Sequence, residues 1–476
     1  MNDTKQIEAL QSLAEAAKQR QRTRSSRRIA SVRVSPGAYL AVSSLFTFLS
    51  ALLLRSGTNA WPLLTLATAW LVIPMLAAAD RIVFDGEWVT RRGPIPSIAQ
   101  FVFGRNWRLS VPEFETVETS AVRTIRRGGS VRYRYRSQIN GKGLQFIFAS
   151  GGKSYRKMVR ALFPLVHEDK LDTRSRDLRD YLVEPNSLDD KVKHSQLASA
   201  SVLAGAKTAF KLRVKNVEKG DTPSDAAAAV RFERANLMRR LANELRVAGR
   251  LAEAAEAFRR ALNVIPREGW LIYDFARLLR SQASANSDAR LLSRARAALH
   301  LASIRAGRDA NLLALIGEST LEFGDVKRAQ RVFYKALNAD PRNVKARFGL
   351  ADVALREGKL AHVIHHHRDA SMVASEKSLI MFARREADYY ALLNDDDEYL
   401  ATELRRINCL QHASRLRRLA GTVTNAGILL ALAGSYYDPT FSGMGWSLAS
   451  SALVVWLASL VAIRILATRR KPRLLE

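Results

Sequence analysis

The residue types most able to do chemistry cluster in one place, at His362, His365, His366 and His367. His362 and His366 are four apart, which puts two imidazoles on one face of a helix, a spacing that can bind zinc. A metalloprotease helix would carry a glutamate between them. None is there, and no third ligand is evident. Asp395-Asp396-Asp397-Glu398 resembles a calcium loop in acidity alone and reads as acid capping a helix at a turn. No phosphate-cradling glycine loop, nucleophile elbow or pair of catalytic carboxylates is present, and Gly128-Gly129 and Gly151-Gly152 read as turns. No catalytic, cofactor-binding or metal-ligating residue is therefore expected, and the chain does not read as an enzyme.

Location and partners carry more information. The 476 residues allow two to four domains, and a net charge of +30 calls for a negatively charged neighbour: anionic lipid, nucleic acid or an acidic protein. The single cysteine, Cys409, excludes an internal disulfide framework and a multi-cysteine zinc site, and fits a reduced, cytoplasm-facing body.

Apolar residues are concentrated near both ends. Segments 38–54 and 60–79 form one expected transmembrane hairpin within 37–79, and segments 419–437 and 444–466 form a second within 419–467. Arg464 is the one charge in these four segments and lies close enough to an end to snorkel. The basic tails 1–36 and 468–476 contrast with hairpin loops that hold only Arg55, so both termini and the body between the hairpins are expected on the cytoplasmic side. Trp61, Tyr436, Tyr437 and Trp446 would anchor the far interface.

Residues 80–183 read as a β-rich module. Asp85-Gly86 marks a hairpin, and Asn140-Gly-Lys-Gly a turn between two alternating strands. In the first of these, Arg132, Arg134 and Arg136 share one face, with Tyr133 and Tyr135 opposite, toward a core. A helix from about Ser154 would present Met158, Leu162 and Leu165 to that core. Strands closed by a C-terminal helix directly after a membrane hairpin resemble the bacterial pleckstrin-homology-like modules. Residues 91–160 hold 15 basic and 3 acidic residues, a net of +12. Arg132, Arg134, Arg136, Lys153, Arg156 and Lys157 are the candidate face toward anionic lipid, where each cation could add roughly 1 kcal/mol; a solvated sheet face is the alternative. Stacking on nucleic acid would need the tyrosines beside the arginines, so nucleic acid is not the expected partner.

A charged linker or helix, 184–230, leads to 231–409. There Ala254-Ala-Glu-Ala-Phe258-Arg-Arg-Ala261 and Pro266 return as Ala329-Gln-Arg-Val-Phe333-Tyr-Lys-Ala336 and Pro341, with Gly249 and Gly324 upstream. Each copy sets a small residue, an aromatic and a second small residue on one helical face, then a proline that ends the helix. The stretch resembles a tetratricopeptide repeat array, with units from about Ala235, Glu268, Ala310 and Asn343 and a degenerate pair over 376–409 as cap. The prolines are 75 residues apart, two 34-residue units plus seven, and Gln282–Asp288 is the expected loop-like insertion. Phe275, Ala276, Leu279, Ala295, Leu299 and Ala302 then fall at packing positions.

The resemblance implies protein binding through a groove lined by Arg239, Asn243, Tyr273, Asp274, Arg277 and Glu318. Arg239 and Asn243 match a basic-plus-asparagine pair with which some such domains clamp a peptide carboxylate, but Asp274 and Leu315 stand where an amide and a base belong. The expected fold is thus multidomain: four transmembrane helices in two hairpins, a small β-rich module with a C-terminal helix, and an α-helical solenoid. The expected function is a scaffold in a bacterial-type inner membrane that binds proteins through its groove. The alternative is a lipid- or polymer-handling component of an envelope pathway that uses the basic module. Nucleic-acid binding by the basic body is a minor third.

Overall fold

The computed structural model describes residues 29–34, 37–55, 60–103, 106–125, 131–150, 152–195, 197 and 225–467. Most of the basic tail 1–36, the first hairpin loop, much of the linker 184–230 and the tail 468–476 lie outside the described residues. The chain divides into two compact units, Met1–Val34 with Arg81–Arg92 and Pro96–Arg385, and Ser35–Asp80 with Gly93–Ile95 and Glu386–Glu476.

Strand β1 (Ala30–Arg33) comes first, in a stretch expected only as tail. Alternation explains it: Ala30 and Val32 are buried while Ser31 and Arg33 face outward. Helices α1 (Gly37–Arg55) and α2 (Ala60–Ala79, with a π turn at Thr68–Val72) follow. Strands β2 (Arg81–Phe84) and β3 (Trp88–Arg92), helix α3 (Pro94–Phe103) and strand β4 (Arg108–Ser110) come next. The four strands form an antiparallel sheet in the order β1-β2-β3-β4. The turn at Asp85-Gly86 is as the sequence suggests, with Gly86 at φ +110° and Asp85 Oδ1 accepting from the Trp88 amide at 2.8 Å.

A second antiparallel sheet holds β5 (Thr116–Ile125), β6 (Val131–Gly141) and β7 (Leu144–Ala149). Arg132, Arg134 and Arg136 are exposed along β6, and Tyr133 and Tyr135 are half-buried on its other face. Helix α4 (Lys153–Leu162) buries Tyr155, Met158, Val159 and Leu162 against Phe146, Phe148 and Ile139. Leu165, expected on that face, is exposed because the α-helix ends at Leu162 and Pro164 lies in a short 3-10 turn. Helices α5 (Thr173–Tyr181) and α6 (Pro185–His194) follow.

Consecutive helices joined by a few residues fold back on each other and form pairs. They are α7 (Asp225–Ala248) with α8 (Leu251–Val264), α9 (Gly269–Asn286) with α10 (Ala289–Arg305), α11 (Ala310–Glu322) with α12 (Val326–Ala339), and α13 (Val344–Arg356) with α14 (Leu360–Val373). Helix α15 (Lys377–Asp395) comes after the fourth pair. Gly249, Gly324 and Gly358 make the turns within pairs, at φ between +74° and +87°. In the second pair Ser287 takes that role at φ +54°, with Asp288 capping α10. The surplus residues are not a loop. They lengthen α9 to 18 residues and α10 to 17, with Ala283 buried, because Gln282-Ala-Ser-Ala-Asn286 has no residue that breaks a helix.

Ala254, Phe258, Ala261, Ala329, Phe333 and Ala336 are buried, as are all six residues assigned to packing positions in the second pair. Phe333 fills a niche between two glycines: a Cβ at Gly317 would lie 2.5 Å from its ring, and one at Gly349 would lie 2.3 Å away.

The second unit contains α16 (Asp397–Tyr437) and α17 (Pro439–Leu466). Helix α16 is continuous for 41 residues, so the expected end of the array at 409 and the apolar segment from 419 lie on one helix. Asp396 caps it, accepting from the Tyr399 amide at 2.9 Å. Among the described residues, three helices are long and apolar enough to cross a membrane, by length and composition: Ala60–Ala79, Asp397–Tyr437 and Pro439–Ile463. Helices α16 and α17 meet at small residues, where a Cβ on Gly445 would come within 2.3 Å of the Ala431 backbone. Trp61, Tyr436, Tyr437 and Trp446 are all exposed.

Candidate functional site

Inner-face residues of the helix pairs converge on the segment between the second sheet and α6. Five of the six expected groove residues are engaged by other side chains. Asp274 of α9 accepts from Arg239 Nε at 2.6 Å and from Asn243 Nδ2 at 2.9 Å. Asn243 Oδ1 in turn accepts from Arg246 Nε at 3.1 Å, one turn further along α7. Arg246 then reaches Asp177 of α5 at 2.9 Å, and Arg277 of α9 grips the same carboxylate from the other side at 2.6 Å. The result is a connected chain of charged and amide groups running from the array into the module.

This chain is dry. Asn243 is fully buried, and Asp274, Asp177 and Arg246 are each less than a tenth exposed. Burial alone would raise the Asp177 pKa, but Arg246 and Arg277 hold it below the ordinary carboxylate value. Arg277 is pushed above its ordinary range against the desolvation it suffers, chiefly by Asp177. A charge buried this deeply persists only with partners, which each guanidinium finds. Tyr273 is also enclosed: its hydroxyl lies 3.3 Å from Ser319 Oγ, Arg277 sits over its ring at 5.5 Å, and burial raises its pKa to about 12.

Other contacts extend the junction. The Tyr135 hydroxyl donates to the Val247 carbonyl at 2.7 Å, Lys345 Nζ to the Leu171 carbonyl at 3.4 Å, and Arg385 binds both carboxylate oxygens of Glu115 at 2.9 Å. Lys170, itself buried, pairs with Glu376. Hydrophobic packing crosses in both directions, since Val247 belongs to the module's core and Tyr133 packs against the array's. Leu188 and Val192 of α6, in the stretch expected as linker, belong to the array core, and Lys191 pairs with Glu244 at 2.7 Å.

Glu318 behaves differently. Its Oε2 is buried and has no hydrogen-bond partner among the described residues. Asp172, at the N-terminus of α5, has a pKa raised to about 6, first by burial and further by Glu318, against the amide hydrogen bonds from Ser175 and Thr119.

Of the expected lipid-facing residues, Arg132, Arg134, Arg136, Lys153 and Lys157 are exposed. Arg156 is partly buried and paired with Glu184 at 3.2 Å. Arg132 and Arg156 share a cleft of about 840 Å³ with Tyr135, Tyr181, Glu244 and Arg250. In the histidine cluster His362 and His365 are exposed, while His366 and His367 are buried. Burial, then the neighbouring histidine His365, lowers the His366 pKa to about 4. Among the described residues no group of three or more histidine, cysteine or acidic side chains is placed to hold a metal ion.

Sequence reasoning missed Asp177, Arg246, Glu115 and Lys345. One signal was available: Arg239, Asn243 and Arg246 lie at i, i+4 and i+7, one face of one helix. Nothing local marks Asp177 among the many charges of 169–190.

No protein-family model matches the chain, and no curated protein matches it. Among solved structures it is similar to the crystal structure of the APC/C hetero-tetramer Cut9-Hcn1, at 12% identity with a TM-score of 0.29, over 66% of this chain and 53% of that one. The chain thus spans about half the length of that protein.

Proposed function

We propose that this chain is a membrane-anchored scaffold that holds partner proteins at a bilayer. The observation that carries the reading is the joining, in one chain, of a helix-pair array to apolar helices long enough to span a membrane. Helix-pair arrays offer extended surface rather than a reaction centre. The reading takes the array as tetratricopeptide-like, on the small–aromatic–small pattern and the glycine turns, and the first module as pleckstrin-homology-like. It takes α1 as a fourth span, making two hairpins. Arginine bias supports a cytoplasmic body and termini, in a bacterial-type inner membrane.

Arg277 is already held by the module, and Arg239, Asn243, Tyr273 and Asp274 are engaged by one another and by neighbouring array side chains, so partners engage array surface outside that junction or displace these contacts. Cross-linking of the full chain in native membranes, followed by peptide mapping, tests the reading. Cross-links to other proteins should fall on array residues 231–409. Cross-links confined to the β-rich module and the apolar helices would overturn it.

A second reading, handling of lipid or an anionic polymer, is favoured by the exposed Arg132, Arg134 and Arg136 stripe. It predicts that charge reversal of these three weakens association of the detergent-solubilised chain with anionic vesicles, while neutral vesicles show no difference.

A further inference from the structure

The outer face of the array is exposed along its second and third helix pairs, and its charge there is of one sign. Residues 289–308 and 326–339, which contain α10 and α12, hold nine arginines and lysines and no aspartate or glutamate. Arg294, Arg305, Arg308, Lys327, Arg331 and Lys335 are exposed and make no ion pair among the described residues. They flank exposed apolar side chains: Leu301 is 44% exposed, Ile304 57% and Tyr334 45%. The spacing sets these groups on one side of each helix, opposite the buried Ala295, Leu299 and Ala302 of α10 and Ala329, Phe333 and Ala336 of α12. The two helices adjoin. Arg296 of α10 donates to the Phe323 carbonyl at 3.4 Å, just before α12, and both helices line one small crevice.

We infer that this outer face of α10 and α12 docks on the anionic headgroups of a bilayer. Cations without counter-charges ask for a polyanion. Leucine, isoleucine and tyrosine between them match the depth profile of an interface, with apolar groups below the headgroups and cations among them. Nucleic acid would use the cations and leave Leu301 and Ile304 without a role. The inference rests on the membrane-anchored reading, which keeps the face close to a bilayer. It is distinct from the Arg132, Arg134 and Arg136 stripe, which lies on a sheet of the other module.

The test uses the full chain carrying Cys409→Ser, reconstituted in nanodiscs of phosphatidylcholine alone or with phosphatidylglycerol. A fluorophore is attached through Ile304→Cys, or in a parallel sample through Leu429→Cys in the apolar part of α16, and quenched by doxyl-labelled lipid. The Leu429→Cys label reports insertion and should be quenched in both discs; if it is not, the anchored reading itself fails. The Ile304→Cys label should be quenched in anionic discs several-fold more than in neutral ones. High salt should reverse this, and so should the triple change Arg305→Glu, Arg308→Glu, Lys335→Glu. Quenching of Leu429→Cys with none at Ile304→Cys in either disc would overturn the inference while leaving anchoring intact. Equal, salt-insensitive quenching at Ile304→Cys in both discs would overturn its electrostatic basis. Displacement of the label from anionic discs by a single-stranded oligonucleotide, with binding lost in the triple variant, would replace lipid by nucleic acid.

Discussion

The two faces of the helix array both carry arginine and use it in opposite ways. On the inner face Arg246 is buried and Arg239 and Arg277 are half-buried, and each is matched to a carboxylate, at Asp274 or Asp177. On the outer face Arg294, Arg305, Arg308 and Arg331 are exposed and have no ion pair among the described residues. The difference is one of solvation. A guanidinium taken out of water must find a counter-charge or the fold pays several kcal/mol, whereas one left in water needs nothing and stays free for a partner. Charge counted from sequence cannot separate the two uses, because both register as arginine on a helix. The inner arginines hold the molecule together, and the outer ones are left to meet something else.

Removing Asp177 should break this comparison most sharply. Asp177→Ala leaves the buried Arg246 and the half-buried Arg277 without their shared carboxylate, and chemical denaturation of the full chain in detergent should show a loss of about 3–5 kcal/mol. A loss under about 1 kcal/mol would mean that the junction is wet or open.

A smaller effect is expected from pH. Asp172 has its pKa raised to about 6 in the folded chain, so the folded state binds the proton more tightly than the unfolded one. Its contribution to stability is therefore complete below the ordinary value of 3.8 and is lost as pH rises through about 6. His366 acts in the opposite sense. Its pKa is lowered to about 4, so its contribution is present above 6.5 and lost as pH falls through about 4. Asp172→Asn should raise stability at neutral pH by about 1 kcal/mol and remove the acid-side gain, and His366→Gln should remove the acid-side loss. Melting temperatures compared at pH 5 and pH 7 would separate them, and parallel pH profiles for all three proteins would refute both assignments.

The smallest effect belongs to the outer face. Arg331→Ala should change stability by no more than about 0.5 kcal/mol in the same denaturation assay. A loss comparable to that of Asp177→Ala would show the outer face to be structural as well.

Much of the array was legible from sequence because its signal is local and periodic. The buried faces of Phe258 and Phe333, the glycine turns and the alternation of Arg132 to Arg136 with Tyr133 and Tyr135 each follow from spacing within one element. The lengthened second pair was misjudged because polar composition at Gln282–Asp288 was read as loop, although Gln282–Asn286 continue the helix at little cost and only Ser287 and Asp288 make the turn. Strand β1 was hidden because its partner, β2, lies beyond two apolar helices. The candidate site was the least legible part. Asp177 is 69 residues from Arg246 and 100 from Arg277, and pairing over such separations leaves no periodic trace in a chain with charges everywhere. The groove residues were located by pattern, but what covers them could be seen only in three dimensions.

The lock between the module and the inner face of the array runs through Asp177. It is tested most directly by a double-mutant cycle on the full chain with Asp177→Ala, Arg277→Ala and both together. Strong coupling is expected, with the double variant losing at least about 1.5 kcal/mol less than the sum of the single losses. Additive losses, with no coupling between the two positions, would contradict it.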